Sequence, residues 1–334
     1  MRCIQLVAAS ACGALLTILP VVAQGAIVFS DNFEADTSAN YTVNSSGGNN
    51  AATFAFDYST VGIPSAPNSG GTTKGLKLEA NYLDSNDATE IFSGLSVSPN
   101  SFSIASDFDL TFDLWQNSIG PFTGTAGDGG SGSTQVTDYG WGTAGTSAQW
   151  AGARDSVVFG TTGEGNSGFD WRVYPNAVLE GPTSSMYVAT PGAGSDADVR
   201  NNVHSYYVAN FPGQAPPAAQ TALFPASQTG APQAGTTAFS WHEVLISKRG
   251  DTLSWSVDGV PIANVDLTGV GALGGDNVFF GQSDINGTAS ADANARSLLF
   301  GLIDNVVMDQ IPEPSSLALC ALGIAGGLAI RRRS

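Results

Sequence analysis

Carboxylates are the side chains of this sequence whose spacing could do chemistry. Asp107, Asp109 and Asp113 alternate with apolar residues, so on a β-strand they share one face. Two carboxylates that flank a glycosidic bond can hydrolyse it. The same alternation is typical of the solvent face of an amphipathic strand, and that interpretation is favoured.

Other catalytic constellations are missing from the sequence. Neither a Gly-x-Ser-x-Gly elbow nor a His-Glu-x-x-His motif is present. Of the two histidines, His242 lies in an alternating segment, where we expect packing or hydrogen bonding, and His204 is expected at the surface. The sequence predicts no enzyme.

Oxygen-rich segments could bind calcium, which takes six to eight oxygen ligands. Asp284, Asn286 and Asp292 lie in one Asn- and Asp-rich loop, and Asp31 and Asp304 would meet if the first and last strands pair. The spacing is not that of an EF-hand. Ordinary turn chemistry, which also favours Asp and Asn, is the alternative.

Aromatic residues in long loops could stack against sugar rings. Trp141, Trp150, Tyr206 and Tyr207 are the candidates for carbohydrate binding. Their alternative role is to fill the core of a β-sandwich.

The elements that would position these residues are short strands separated by glycine-rich turns. Alternation predicts the strands listed here: 27–34, 52–58, 75–80, 108–115, 156–160, 169–174, 239–249, 252–257, 260–265 and 297–308. No segment between the two ends of the chain has a clear helical period. The pattern predicts an all-β sandwich over residues 26–310, whose first and last strands are neighbours.

Two regions interrupt the strands. Residues 116–152 are rich in Gly, Ser and Thr, and residues 175–238 are rich in Ala, Pro and Gln. Both are interpreted as long excursions from one sandwich. For 175–238, a disordered linker between two domains is the alternative.

Residues 239–266 resemble a known superfamily. Trp241-His242 on one strand, a Gly250-Asp251 turn and an Asp258-Gly259 turn form a meander similar to that of the laminin-G/concanavalin A-like superfamily. The resemblance implies a concanavalin A-like jelly-roll sandwich, a fold that serves both carbohydrate-binding modules and glycoside hydrolases.

The N-terminus has the features of a secretory signal peptide. Arg2 precedes an apolar stretch from Ile4 to Val22, and small residues permit cleavage by signal peptidase after Ala23 or Gly25. Cys12 faintly suggests a lipoprotein signal instead. Residues 1–25 are therefore predicted to be removed on export.

The C-terminus, residues 311–334, has three parts in order. Pro312-Glu313-Pro314 is rigid and extended, residues 317–330 are apolar on every side, and Arg331, Arg332 and Arg333 form a basic cluster. The basic cluster should stay cytoplasmic while the apolar segment spans the membrane as a helix. A buried core helix is the alternative.

This tail resembles the PEP-CTERM sorting signal, with Ile311 where the family usually has Val. The resemblance implies that a processing protease of the exosortase type cuts near the Pro-Glu-Pro motif. The protein would be an inner-membrane intermediate first, and then reach the cell surface or the extracellular matrix.

Composition agrees with export. All three cysteines, Cys3, Cys12 and Cys320, lie in the end segments, so the processed protein has no disulfide framework. Four of the 12 basic and one of the 29 acidic residues also lie there, which leaves a net charge near −20. Such a charge argues against nucleic acid as a partner.

The resulting hypothesis is an exported surface or matrix protein. Its sandwich would be a non-catalytic module that binds carbohydrate, or a structural component, associated with extracellular polysaccharide. A glycan-active hydrolase is the alternative.

Overall fold

The computed structural model describes residues 25–312 except for 48, 83–92, 125–134, 151–152, 166, 191–200 and 286–291. Gly25–Ile311 is one compact unit, and Met1–Gln24 with Pro312–Ser334 is grouped separately. Of that second unit only Pro312 is described, so the predicted signal peptide and tail helix lie outside the described residues. Among the described residues, no helix has both the length and the apolar character needed to cross a membrane.

The described chain is built almost entirely of β-strands. They are β1 Ala26–Asp31, β2 Tyr41–Ser45, β3 Ala51–Asp57, β4 Lys74–Glu79, β5 Ser93–Pro99, β6 Phe108–Asn117, β7 Gln135–Thr143, β8 Val157–Thr161, β9 Trp171–Tyr174, β10 Trp241–Arg249, β11 Thr252–Val257, β12 Val260–Asp266, β13 Asn277–Asp284 and β14 Phe300–Gln310. Three short α-helices accompany them: α1 Ser205–Asn210, α2 Ala218–Leu223 and α3 Ala295–Leu298.

The strands form two antiparallel sheets. One sheet has eight strands in the order β12-β11-β10-β6-β14-β4-β3, with β1 also paired to β14. The other has six strands in the order β2-β5-β13-β7-β8-β9. The predicted all-β sandwich is therefore confirmed.

Aromatic residues join the inner faces of the two sheets. Phe112 of β6 packs edge-on against Tyr139 of β7 and Phe280 of β13, with ring centroids 5.0 and 5.1 Å apart. Trp255 of β11 stacks on Phe159 of β8 at 5.2 Å. All five side chains are essentially inaccessible to solvent, as expected where alternate residues of facing strands interdigitate.

The predicted pairing of the first and last strands is confirmed. β1 runs antiparallel to β14, with Ala26 opposite Gln310 and Asp31 opposite Val306. The predicted meander is also present, because β10 pairs with β11 and β11 with β12.

Residues 116–152, predicted to be an excursion, instead contain β7. This strand pairs with β13 on one side and β8 on the other, inside the six-stranded sheet. Its sequence alternates apolar residues with Asp138, Gly140 and Gly142, which look like loop residues out of context. Likewise, the predicted last strand begins at Phe300 rather than Ser297, because α3 occupies the preceding residues.

The described residues of 175–238 pack against the sandwich. Gln220 of α2 is fully buried and donates from Nε2 to the Val61 carbonyl at 3.1 Å and to Asn117 Oδ1 at 2.9 Å. Gln228 donates to the Ser118 carbonyl at 2.9 Å. Six-residue helices are too short to give a helical period in the sequence, so the sequence did not predict α1 and α2.

Candidate functional site

An open cleft of about 620 Å³ lies on the outer face of the eight-stranded sheet. Residues of β1, β6, β10 and β14 line it, together with two loops. Its polar side chains are mostly amides and carboxylates, namely Asp31, Asn32, Asn40, Asn68, Glu243 and Asn305, with hydroxyls from Ser30, Thr37 and Thr111. We call it the polar cleft.

Three carboxylates stand in one row next to the polar cleft. Glu243 of β10 is directly opposite Asp113 of β6, and Asp113 is directly opposite Asp304 of β14. Opposed side chains in an antiparallel pair are close neighbours, and like charges there are destabilising. The row therefore needs compensating donors or protonation.

Asp113 is compensated by donors. Its Oδ1 accepts from Asn68 Nδ2 at 2.9 Å, and its Oδ2 accepts from the Asn68 backbone N–H at 3.2 Å and from Asn305 Nδ2 at 2.8 Å. Asp113 is fully buried, so the prediction that it lies on a solvent face is wrong. The loop that carries Asn68 covers this part of the strand.

The negative charge of Asp304 is offset in part by hydrogen-bond donors and in part by protonation. Its Oδ1 accepts from the Asn305 backbone N–H at 2.7 Å and its Oδ2 accepts from the Tyr58 hydroxyl at 3.1 Å. Burial, together with the nearby charges of Asp113 and Glu34, raises the pKa of Asp304 to about 7. The row thus contains one carboxyl group that changes protonation near neutral pH.

A β-bulge aims Asn305 at this row. The register between β14 and β6 shifts between Asp304 and Val307, and Asn305 has a φ of 51°, in the left-handed region. Asn adopts that conformation more readily than most residues. The bulge lets the Asn305 backbone bind Asp304 while its side chain binds Asp113.

The flank of the polar cleft is fixed by Asp31 at the end of β1. Its Oδ2 accepts from Thr37 Oγ1 at 2.7 Å and from the Tyr41 hydroxyl at 2.9 Å, and its Oδ1 accepts from the Phe33 backbone at 2.8 Å. Burial, reinforced by the charge of Asp31, raises the pKa of Tyr41. The described residues that line the cleft include the acidic Asp31 and Glu243 and none that is basic.

The remaining carboxylates of the strand do make surface interactions. Asp109 binds Arg249 Nη2 through both oxygens at 2.8 and 2.7 Å, and Asp107 accepts from the Gly250 backbone at 2.8 Å. Both residues are partly exposed, as predicted for an amphipathic strand. They hold β6 to the β10–β11 turn.

The two histidines have structural partners. His242 is buried, with Nδ1 2.7 Å from Asp258 Oδ2 and Nε2 2.7 Å from Ser240 Oγ. His204 caps α1 by accepting at Nδ1 from the Tyr206 backbone at 3.1 Å. The expected packing and hydrogen-bonding role of His242 is observed.

The predicted calcium ligands that the structure describes have other hydrogen-bond partners. Asp31 is at the flank of the polar cleft, Asp304 binds Tyr58, Asp284 binds Asn81, and Asp292 binds Ser227. Asn286 lies outside the described residues. Within the described ranges no group of three or more acidic, His or Cys side chains could hold a metal ion. Residues 286–291 of the predicted loop lie outside those ranges, so calcium binding there stays a prediction.

Of the predicted sugar-stacking residues, Tyr206 and Tyr207 contact each other edge-on with ring centroids 5.4 Å apart. Trp141 and Tyr207 are buried. Trp141 donates to the Ile104 carbonyl at 3.0 Å, and the Tyr207 ring stacks on Trp171 with centroids 5.1 Å apart. Tyr206 donates from its hydroxyl to the Pro261 carbonyl at 2.8 Å, and Trp150 lies over Gly94. Neither of the buried rings offers a free face to a sugar.

Sequence reasoning missed Asn68, Glu243 and Asn305. In the sequence, Glu243 is only a polar residue within a predicted strand. Its position opposite Asp113 depends on pairing between strands that are distant in sequence, which the sequence pattern does not give. Asn305 did carry a signal, because Asn is depleted in strands and its presence within a strong strand pattern indicates a bulge.

Comparison with protein families identifies the tail. Residues 310–333 match the PEP-CTERM protein-sorting motif. The predicted sorting signal, with Pro312, Glu313 and Pro314 followed by the basic cluster, is thus confirmed. No curated protein matches the chain in sequence.

Several solved structures are similar to the chain at low identity. A protein of unknown function with a galectin-like fold from Bacillus subtilis has 7% identity, covering 86% of this chain and 97% of that chain, with a TM-score of 0.37. A Bacillus licheniformis β-glucanase has 9% identity, covering 84% and 97%, with a TM-score of 0.38. A structure from work on endo-acting O-glycanases of the human gut microbiota has 11% identity, covering 86% and 100%, with a TM-score of 0.40. At these values no residue role or activity is carried over.

Proposed function

We propose that this protein is an exported surface or matrix protein whose sandwich binds carbohydrate in the polar cleft without cleaving it. The PEP-CTERM motif supports export through an exosortase-type protease, after signal peptidase has removed residues 1–25. The concanavalin A-like jelly roll is the fold we assign to the sandwich, and extracellular polysaccharide is the partner we assign to it.

The observation that carries the proposal is the polar lining of the cleft. Sugar hydroxyls both donate and accept hydrogen bonds, and they pair well with fixed amides and carboxylates. Asn32, Asn40 and Glu243 are exposed at the cleft, whereas Asp113, Asp304 and Asn305 hold each other in place beneath it. Rigid support below and exposed polar groups above suit recognition of a polar ligand.

The charge of the cleft selects among glycans. Asp31 and Glu243 line it, and no lining residue is basic. Glycans that carry carboxylates or sulfates would be repelled. The expected ligands are neutral oligosaccharides.

Titration calorimetry of the processed protein with neutral oligosaccharides tests this proposal. Glu243→Gln and Asn32→Ala should each weaken binding about tenfold, because the first replaces a charged acceptor by an amide and the second removes a hydrogen-bonding side chain, both outside the core. Glu180→Gln, on the excursion after β9, is the matched control and should bind as the wild type does. Equal affinity in all four proteins would exclude the polar cleft, and no binding of any glycan would favour a purely structural matrix role.

A glycan-active hydrolase is the second candidate, and one observation favours it. Asp113 and Asp304 are adjacent carboxyl groups, and the raised pKa of Asp304 is a property of general acids. Both groups are fully buried, so the binding role is preferred. Release of reducing sugar from a β-glucan by the wild type, and its loss in Asp113→Asn with glycan affinity retained, would establish the hydrolase instead.

A further inference from the structure

A second polar site lies on the outer face of the six-stranded sheet, away from the polar cleft. Alternation places Asp138 of β7, Ser283 of β13, and Arg172 and Tyr174 of β9 on this face. Arg154, from the segment before β8, joins them. We call these five residues the arginine cluster, and each is at most 5% exposed.

Arg154 is only partly satisfied within the cluster. Its Nη2 donates to Asp138 Oδ2 at 3.2 Å, and its guanidinium carbon lies 3.9 Å from the centre of the Tyr174 ring. Within the described residues, its Nε and Nη1 are buried and have no hydrogen-bond partner. Two guanidinium donors of Arg154 are therefore buried and unpaired among the described residues.

Within the described part of the chain, buried Arg172 forms no hydrogen bond or ion pair with a carboxylate, although its charge acts on Asp138 and Glu164 nearby. Its Nη1 donates to the Tyr174 hydroxyl at 3.1 Å and its Nη2 donates to Ser167 Oγ, both neutral acceptors, while its Nε has no partner. A buried guanidinium charge without a counter-charge is costly. A native site of this kind calls for a negative group.

The nearby carboxyl groups do not fill this need. Asp138 is already held by Arg154 and Ser283, and burial raises its pKa although Arg154 and Arg172 act against the shift. Burial and the charge of Asp170 raise the pKa of Glu164 well above its usual range, and the Glu164 carboxyl group accepts from Ser118 Oγ at 3.3 Å. Asp170 itself accepts from Thr162 Oγ1, and no carboxylate of the described residues forms a hydrogen bond or ion pair with Arg172.

We propose that the arginine cluster is a binding site for one small oxyanion, held by the unused N–H groups of Arg154 and Arg172. Guanidinium groups form their strongest hydrogen bonds with phosphate, sulfate and carboxylate oxygens. The anion is either a free inorganic ion or the carboxylate of a sugar acid, which offer the same chemistry. This site is independent of glycan binding in the polar cleft.

The test is thermal unfolding of the processed protein during titration with sodium phosphate, at an ionic strength held constant with sodium chloride. Ligands that bind only the folded state raise Tm in a saturable way. Arg172→Met keeps the length of the side chain but removes its charge, and Arg249→Met removes an exposed arginine as the matched control. The wild type and Arg249→Met should both gain a few degrees, and Arg172→Met should gain none.

Two further arms keep the result decisive. Calorimetry of the wild type should show one phosphate bound per chain, and this measurement does not require any variant to fold. Glu243→Gln should bind phosphate as the wild type does, because the polar cleft is not involved. Titration with glucuronate distinguishes the two kinds of anion. If glucuronate also raises Tm, and Arg172→Met abolishes that rise, the site binds the carboxylate of a sugar acid. If only phosphate raises Tm, the site binds an inorganic ion. Equal shifts in all variants would show general salt exclusion from the surface and overturn the proposal, as would the absence of any phosphate binding.

Discussion

At the scale of single residues, Asp304 shows how position in a sheet sets protonation. It is fully buried, lies opposite Asp113, and has a pKa raised to about 7. In the unfolded chain the same carboxyl group would titrate near 4. The folded protein therefore binds one proton more than the unfolded chain between these two pH values, and its stability falls as pH rises through this window.

We expect Asp304→Asn to remove this pH dependence. The amide stays neutral and keeps an oxygen acceptor for the Asn305 backbone, so the variant should lose less stability than the wild type as pH rises from 4 to 8. The difference should be on the order of 4 kcal/mol at most. Urea unfolding at a series of pH values measures it.

Asp309→Asn is the matched control for this change. Asp309 lies on the same strand but is partly exposed. Its substitution should leave the pH profile close to that of the wild type. An Asp304→Asn profile parallel to the wild type would show that Asp304 is already ionised in the folded protein.

At the scale of elements, the meander of β10, β11 and β12 depends on one hydrogen-bonded turn. Asp258 has a φ of 52°, and its carboxylate binds His242 Nδ1 at 2.7 Å and the Glu243 backbone N–H at 2.9 Å. Burial tends to raise the pKa of Asp258, but the hydrogen bond and charge of His242 outweigh it, and the pKa lies below its usual value. The turn is thereby joined to the start of β10.

Asp258→Ala should destabilise the sandwich by about 1 to 3 kcal/mol. The variant loses both hydrogen bonds and places Ala in a left-handed conformation that it adopts poorly. Asp251→Ala, at the exposed turn between β10 and β11, is the comparison and should cost much less. Guanidinium unfolding distinguishes them, and equal losses would mean that the His242 contact contributes nothing.

The meander also shows which elements the sequence could predict. Its strands alternate clearly and its turns contain Gly250 and Gly259, both with positive φ, so local chemistry was sufficient. β7 was not predicted, because its outward positions hold Asp138, Gly140 and Gly142, which look like loop residues. What makes β7 a strand is its pairing with β13 and β8, which is a long-range property.

The polar cleft was unpredictable for the same reason. Its row of Glu243, Asp113 and Asp304 comes from three strands that are distant in sequence, and it exists only through their register. The sequence did single out Asp304 and Asp31 as candidate functional carboxylates, but it predicted them to be calcium ligands. Their observed partners are hydroxyl and backbone groups.

At the scale of the whole molecule, the sandwich and the sorting motif are contiguous. β14 ends at Gln310, and the Ile311 backbone N–H makes a hydrogen bond to the Asp107 carbonyl at 2.8 Å. Pro312 and Pro314, which lack backbone donors, come directly afterwards. In sequence, the Pro-Glu-Pro motif therefore follows directly on the residue that makes this hydrogen bond.

Replacing Pro312, Glu313 and Pro314 by Ala should block processing. The expected product is an uncut form that stays in the membrane fraction, because the apolar segment 317–330 remains attached. Intact mass and membrane fractionation of the exported protein check this. Substituting Pro261 by Ala, in β12 of the sandwich, should leave the mature mass changed only by the substitution itself. An unshortened motif variant in the soluble fraction would contradict the expectation.

The pairing of β1 with β14 also makes the sandwich a candidate for circular permutation. Ala26 and Gln310 are register partners, so a turn of two or three residues could join them into a hairpin. New ends could open between Gly70 and Gly71, where both residues have positive φ and open space around them. Such a permuted chain would display its termini on the loop that carries Asn68, and the order of the strands in space would be kept while their order in the gene changed.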